Sequence, residues 1–188
     1  MRDKIKDIIF ESIQVKEQIM HTDISTIISI AECFIACIKK GGKVILFGNG
    51  GSASDAQHIA AELVGRFKQE RRGLPGIALT TNTSILTALA NDYGYDVVFA
   101  RQIEAIAQKN DIAVGISTSG KSKSVLAGIK QAKKMGVKTV ALSGGDGGEL
   151  AKIADLSLLV PSKVTARIQE AHIVIGHIIC ELTEQDAA

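Results

Sequence analysis

Residues 44–52, Val44-Ile45-Leu46-Phe47-Gly48-Asn49-Gly50-Gly51-Ser52, decide how this chain folds. Four apolar residues in a row cannot alternate between core and solvent. The run therefore reads as a strand buried on both faces, halted by glycines, with a helix over 54–67 behind it. The same unit recurs. Ile77-Ala78-Leu79, Ile112–Ile116, Thr139–Leu142 and Leu156–Val160 are further short apolar runs. Helical patterns over 83–90, 97–108, 122–135 and 147–154 separate them, and a last one covers 165–185. Such alternation predicts an α/β fold, a parallel sheet covered by helices on both faces. In that architecture ligands sit at the carboxyl ends of the strands. Three polar, glycine-rich loops fall there: Gly48–Ser54, Ser117–Ser122 and Ser143–Gly148. The site is expected where the first two converge.

Working outward, residues 1–40 read as two helices. Ile5, Ile8, Ile9, Ile13 and Val15–Ile19 recur near a 3.6-residue period. Asp23 is placed to cap a second helix bearing Ile24, Ile27, Ile28, Ala31, Phe34, Ile35 and Ile38, which Gly41-Gly42 ends. Their two-sided apolar character suggests packing against another subunit; the alternative is an outer layer of the same domain. The QERRGLP segment (69–75) is expected to be an exposed loop.

The 188 residues suit one domain with a terminal extension, and 46% hydrophobic content excludes a disordered chain. A net charge of +2 and 4% aromatics leave neither an electrostatic footprint nor a stacking platform for nucleic acid. The apolar stretches are too short or too interrupted to span a bilayer, and no leader pattern opens the chain, so a cytoplasmic protein is expected. Cys33, Cys37 and Cys180 make no disulfide framework and read as buried thiols.

Two motifs invite nucleotide readings. Gly48–Ala53 fits G-x-G-x-x-A after a strand, but the second strand ends in Thr80-Thr81-Asn82, without the acid that would hold a ribose. Glu70 has roughly the right spacing but lies before that strand. Gly115–Ser122 fits G-x-x-x-x-G-K-S, yet no neighbouring strand ends in an Asp to help hold Mg²⁺. Both loops share a simpler chemistry. Small residues and a following helix let backbone amides approach one phosphate, and Ser117, Thr118, Ser119 and Ser122 add hydroxyls.

Two helices carry ionisable groups at telling intervals. His58 and Glu62 are four apart and face one side of the helix after the first loop. Gln169, Glu170, His172 and His177 lie on the last helix among apolar residues. Glu170 and His177 share a face, and Gln169 lies about 80° from His177. Two helices that each present an imidazole and an oxygen-bearing side chain point to a shared site.

The runs VILFGNGGSASDAQHIAAELVGRF (44–67), Asn91–Gly94, GISTSGKS (115–122), Ser143–Gly148 and RIQEAHIVIGHII (167–179) together resemble the phosphoheptose isomerases, a branch of the sugar isomerase (SIS) domains. The resemblance runs in order over residues 41–185. It implies a three-layer αβα fold with a five-stranded parallel sheet, doubly wound in the flavodoxin-like way. The helical extension would occupy 1–40 and the SIS domain 41–188. It implies one Zn²⁺ per subunit on His58, Glu62, Gln169 and His177, with Glu62 and His177 as the proton-transfer pair. Asn49, Gly50, Gly51, Ser52, Ser117, Thr118, Ser119, Ser122 and Gln169 would hold phosphate and sugar, with Asn91 and Asp92 on sugar hydroxyls and Arg66 at a substrate or subunit contact. The implied reaction converts sedoheptulose 7-phosphate to D-glycero-D-manno-heptose 7-phosphate in a cytoplasmic homotetramer, the first step toward nucleotide-activated heptose for lipopolysaccharide or capsule. The competing readings are a non-catalytic phosphosugar-binding regulator of the replication-initiator-associating type and an isomerase of another sugar phosphate. Lys121 stands where many relatives are expected to carry Asn, and Thr165-Ala166 where some carry an acid.

Overall fold

The computed structural model describes residues 1–187. Helices α1 (Arg2–Thr22) and α2 (Ile24–Lys39) lead into five strands: β1 (Val44–Gly48), β2 (Gly76–Ala78), β3 (Ile112–Ser117), β4 (Lys138–Gly144) and β5 (Leu156–Val160). Between and after them run α3 (Gly51–Val64), α4 (Thr83–Tyr93), a 3₁₀ turn (Tyr95–Val97), α5 (Val98–Ile106), α6 (Lys123–Lys134), α7 (Gly148–Ile153) and α8 (Thr165–Ala187). All strand pairs are parallel, in the order β2-β1-β3-β4-β5. The chain leaves β1 toward β2 and then crosses back to β3. The topological switch point therefore lies between the carboxyl ends of β1 and β3, where a crevice opens.

The alternation within β1 shows why the run is apolar throughout. Val44 and Leu46 join one buried cluster, with Ile30 and Phe34 of α2, Ile59 and Leu63 of α3, and Ile175 and Ile179 of α8. Ile45 and Phe47 join the other, with Phe99 and Ile103 of α5 and Val125 and Ile129 of α6. These are the three expected layers, with the sheet in the middle.

Several local readings are refined. Helix α3 starts at Gly51, three residues earlier than the periodicity indicates, and stops at Val64, so Arg66 and Phe67 lie beyond it. The helix read over 97–108 is a 3₁₀ turn followed by the shorter α5. Asp23 occupies the cap position of α2 without a side-chain capping bond; its carboxylate accepts from Thr22 instead. Helix α2 belongs to the domain's own layer, since Ile27, Ile30, Ala31, Phe34, Cys37 and Ile38 are buried under the sheet. Its outer residues Ile24 and Ile28 stay exposed, as do Ile5, Ile9, Phe10 and Ile13 of α1, with Phe10 59% exposed. The 69–75 segment is less open than its composition suggests, because Leu74 is buried and the Arg71 side chain is only 4% exposed. Among the described residues no single helix is long and apolar enough to cross a membrane.

The three cysteines are free; burial pushes the thiols of Cys37 and Cys180 up to about 12, so they are inert packing groups. His172 is likewise a core residue. It is fully buried and its Nε2–H donates to the Ser143 carbonyl at 3.0 Å, fixing α8 on β4. Its Nδ1 has no partner, and burial pushes the imidazole down to about 4. Below its ordinary value of 6.5 the unfolded chain takes a proton that the folded chain refuses. The contribution is therefore complete above pH 6.5 and lost as pH falls toward 4, about 3 kcal/mol in all. Urea unfolding of wild type and His172→Gln from pH 7.5 to 4.5 tests this. The stability gap should shrink steadily with acid; a gap independent of pH refutes it.

Candidate active site

Helices α3 and α8 follow β1 and β5 and lie side by side, parallel. Their facing residues keep nearly constant sequence separations: 118 for Gly51 and Gln169, 119 for His58 and His177, 117 for Ile59 and Gly176. Close approach depends on small residues. A Cβ on Gly176 would meet Ile59 Cδ1 at 2.7 Å, and one on Gly51 would come within 2.4 Å of the Gln169 amide nitrogen.

This packing brings His58, Glu62 and His177 together. One ligand atom from each lies within 4.8 Å of the others. His58 Nε2 is 3.0 Å from Glu62 Oε1 and 3.3 Å from His177 Nε2. Two imidazole nitrogens aimed at each other cannot both carry a proton, so one offers a lone pair to the gap. Two imidazoles and a carboxylate suit a zinc-like cation, and the half-exposed position leaves room for further ligands. Helical side chains lean toward the helix N-terminus, so all three lean back toward the end where Gly51 and Gln169 lie.

At that end is a cavity of about 320 Å³, lined by Asn49, Gly50, Gly51, Ser52, Ser117, Thr118, Ser119, Ser122 and Gln169 among others. It sits at the β1–β3 switch point, as expected. The N-terminal ends of α3, α6 and α8 converge there, an arrangement that favours an anion. Asn49 is held at three points. Its Nδ2 donates to Ser122 and Ser124 at 2.8 and 3.0 Å, and Tyr95 donates to its Oδ1 at 2.8 Å. The Leu150 amide donates to the Gly120 carbonyl and ties the second loop to the third. Lys121 faces the neighbouring groove with Asp146 and Lys163.

Other expected residues stand apart from the cavity. Arg66 is exposed and pairs with Glu70 at 3.6 Å. Asn91 donates to Asp92 at 2.8 Å on the exposed end of α4. Glu170 shares a helix face with His177 but turns to α1, accepting from Ser12 and pairing with Arg167. Four neighbours of the site escaped the sequence reading: Tyr95, Ser124, Asp55 and Phe67. Asp55 has a local signal, one turn before His58 on α3. Burial pushes its carboxyl up to about 6 against the opposing pull of His58, and its Oδ2 has no hydrogen-bond partner. Tyr95, Ser124 and Phe67 reach the site only through tertiary structure.

Comparison with known proteins agrees with this geometry. The SIS domain model matches residues 9–144, and the chain belongs to that family. Within it the chain falls among the phosphoheptose isomerases. It is 54% identical over 185 residues to the phosphoheptose isomerase of Aquifex aeolicus, covering 98% of this chain and 97% of that one. The solved phosphoheptose isomerase of Neisseria gonorrhoeae superposes with a TM-score of 0.93 at 40% identity, covering 98% of each chain. That of Francisella tularensis gives 0.94 at 38%, covering 97% of each.

The Tyr95 contact can be tested directly. Tyr95→Phe frees one side of the Asn49 carboxamide, and titration calorimetry with a sugar phosphate should show binding weakened about two- to ten-fold. Unchanged affinity would mean that Asn49 needs no such support.

Proposed function

We propose that this chain is an aldose–ketose isomerase that interconverts sedoheptulose 7-phosphate and D-glycero-D-manno-heptose 7-phosphate, the first step toward activated heptose for surface glycans. The observation that carries the reading is the convergence of Glu62, His177 and His58 beside a hydroxyl-lined cavity at helix N-termini. Kinship with phosphoheptose isomerases over nearly the whole chain supports the choice of sugar.

The cavity takes the phosphate on Ser52, Ser117, Thr118, Ser119 and Ser122, while Asn49 orients the sugar. Arg66, Asn91 and Asp92 remain candidates for sugar or subunit contacts. The open-chain ketose then directs C1 and C2 toward the three ionisable side chains. Glu62 Oε1 faces His58, which leaves Oε2 to accept the proton from C1. The C1–H electron pair becomes the C1=C2 bond, and the carbonyl pair moves onto O2, where His177 supplies a proton. His177 then takes the O1 proton, the O1–H pair becomes the C1=O1 bond, and the C1=C2 pair takes the proton back from Glu62 at C2 to give the aldose. His58, Glu62, His177 and Gln169 would hold Zn²⁺. When bound, the metal would stabilise charge developing on the sugar oxygens, a contribution of several kcal/mol, roughly. Among the described residues the cation-ready group is a half-exposed one, so substrate oxygens can reach it.

The exposed apolar faces of α1 and α2 are assigned to contacts between copies in a tetramer, with the active sites near those contacts. The enzyme works in the cytoplasm, where sugar phosphates are made.

Glu62→Gln should reduce turnover at least ~100-fold, with sugar phosphate still binding. NMR of the reaction mixture separates the two sugars without a mass change. Turnover near wild type would remove Glu62 as the base, and a wild-type chain that binds without turnover would make it a sensor. Chelation should abolish activity and added Zn²⁺ restore it; full activity after metal removal would leave His58 and Gln169 with positioning duties alone.

A further inference from the structure

The segment after α3 is clamped from beneath by one buried carboxylate. Glu184, on the last turns of α8, is 1% exposed. Its Oε2 accepts the Phe67 amide at 2.9 Å, and its Oε1 accepts those of Lys68 and Gln69 at 2.8 and 2.7 Å. Arg71 Nε donates to Oε2 at 3.1 Å, and its remaining nitrogens donate to the Glu62, Leu63, Gly65 and Arg72 carbonyls. Burial alone would raise the Glu184 carboxyl, but the three amides and Arg71 outweigh it and hold the group below its usual range.

Three consecutive amides on one carboxylate leave the intervening backbone a single conformation. That conformation sends the Phe67 side chain to the one catalytic imidazole on α8. The ring lies 5.3 Å from the His177 ring, centroid to centroid, at an interplanar angle of 32°. His177 also meets the His58 ring edge-on at 4.9 Å. Lys68, paired with Glu181 at 2.8 Å, holds its ammonium 5.7 Å from the Phe67 centroid. His177 has no hydrogen-bond partner on the protein besides His58 among the described residues. The usual device that fixes a ligating or catalytic imidazole is a carbonyl or carboxylate on its second nitrogen. No such acceptor is seen here, and the flat ring of Phe67 lies against it.

We propose that Phe67 is a positioning residue for His177: the Glu184–Arg71 clamp holds the aromatic ring against the imidazole and so fixes the angle at which Nε2 faces His58 and Glu62. The inference rests on the reading of His177 as a catalytic and metal-binding side chain. It assigns a purpose to a segment whose composition reads as surface loop.

The test uses the full-length protein. Phe67→Leu keeps apolar bulk but removes the flat wall. It should lower kcat for sedoheptulose 7-phosphate by about ten- to a hundred-fold with little change in KM, because orientation and not substrate binding is lost. Phe67→Tyr should restore most of it. Apparent affinity for Zn²⁺, measured by competition with a chelating dye, should fall about ten-fold in Phe67→Leu. The chain has four histidines, so a ¹³C-histidine spectrum of the metal-free protein resolves His177. Its Cε1–H resonance should move downfield in Phe67→Leu as the ring current disappears. Glu184→Gln, if it folds, should shift the same resonance in part; the Phe67 variants decide the matter if it does not. Phe67→Leu with wild-type kcat, Zn²⁺ affinity and His177 resonance overturns the proposal. An active His177→Ala would instead overturn the functional reading on which it stands.

Discussion

The site exists because two helices far apart in sequence can lie almost backbone to backbone. Gly51 and Gly176 remove the side chains that would hold α3 and α8 apart, and Gln169 and Ile59 fill the space those glycines leave. A larger residue at 176 would press on the Ile59 side chain at 2.7 Å and force it to move. The parallel packing also explains why one end gathers anion-binding amides while the imidazoles and carboxylate, further along, lean back toward it. The proposed phosphate cradle and proton-transfer group are thus two stations on one helix pair.

The two nucleotide-like motifs show how the same loop physics serves different ligands. Glycines after a strand let amides approach a phosphate, whatever the phosphate is attached to. In the structure Glu70 pairs with Arg66 on the surface, away from the cavity, and Lys121 turns toward the neighbouring groove. The loops thus keep the general part of the phosphate-binding device without the partners that would make it specific for a dinucleotide or a triphosphate.

Much of the fold was legible because burial on both faces of a sheet leaves an unbroken apolar trace. Val44–Phe47 is the plainest case, its residues feeding two cores in alternation. The start of α3 was less legible, since Gly51 and Ser52 carry no helical periodicity; packing against Gln169, not propensity, makes them helical. Spacing alone placed His58 with Glu62, and the resemblance added His177. Glu170 shares a helix face with His177, as its spacing indicates, but a helical face does not say which partner waits opposite, and here Ser12 of α1 donates to it while Arg167, one turn back on α8, pairs with it. Tyr95, Ser124 and Phe67 leave no trace in the chain, because their place depends on loops anchored by distant residues. The 69–75 segment is mostly exposed, as its composition indicates, but Leu74 and the Arg71 side chain are buried, the latter against a carboxylate that the local sequence does not reveal.

Arg71 has one more consequence. Its guanidinium donates to the carbonyls of Glu62 and Leu63, which would otherwise be open at the carboxyl end of α3. Helix ends are where protein backbones unzip first, and Glu62 stands within the final turn of its helix. A cation seated on those carbonyls closes that fray point, so the side chain proposed as the base stays on rigid ground.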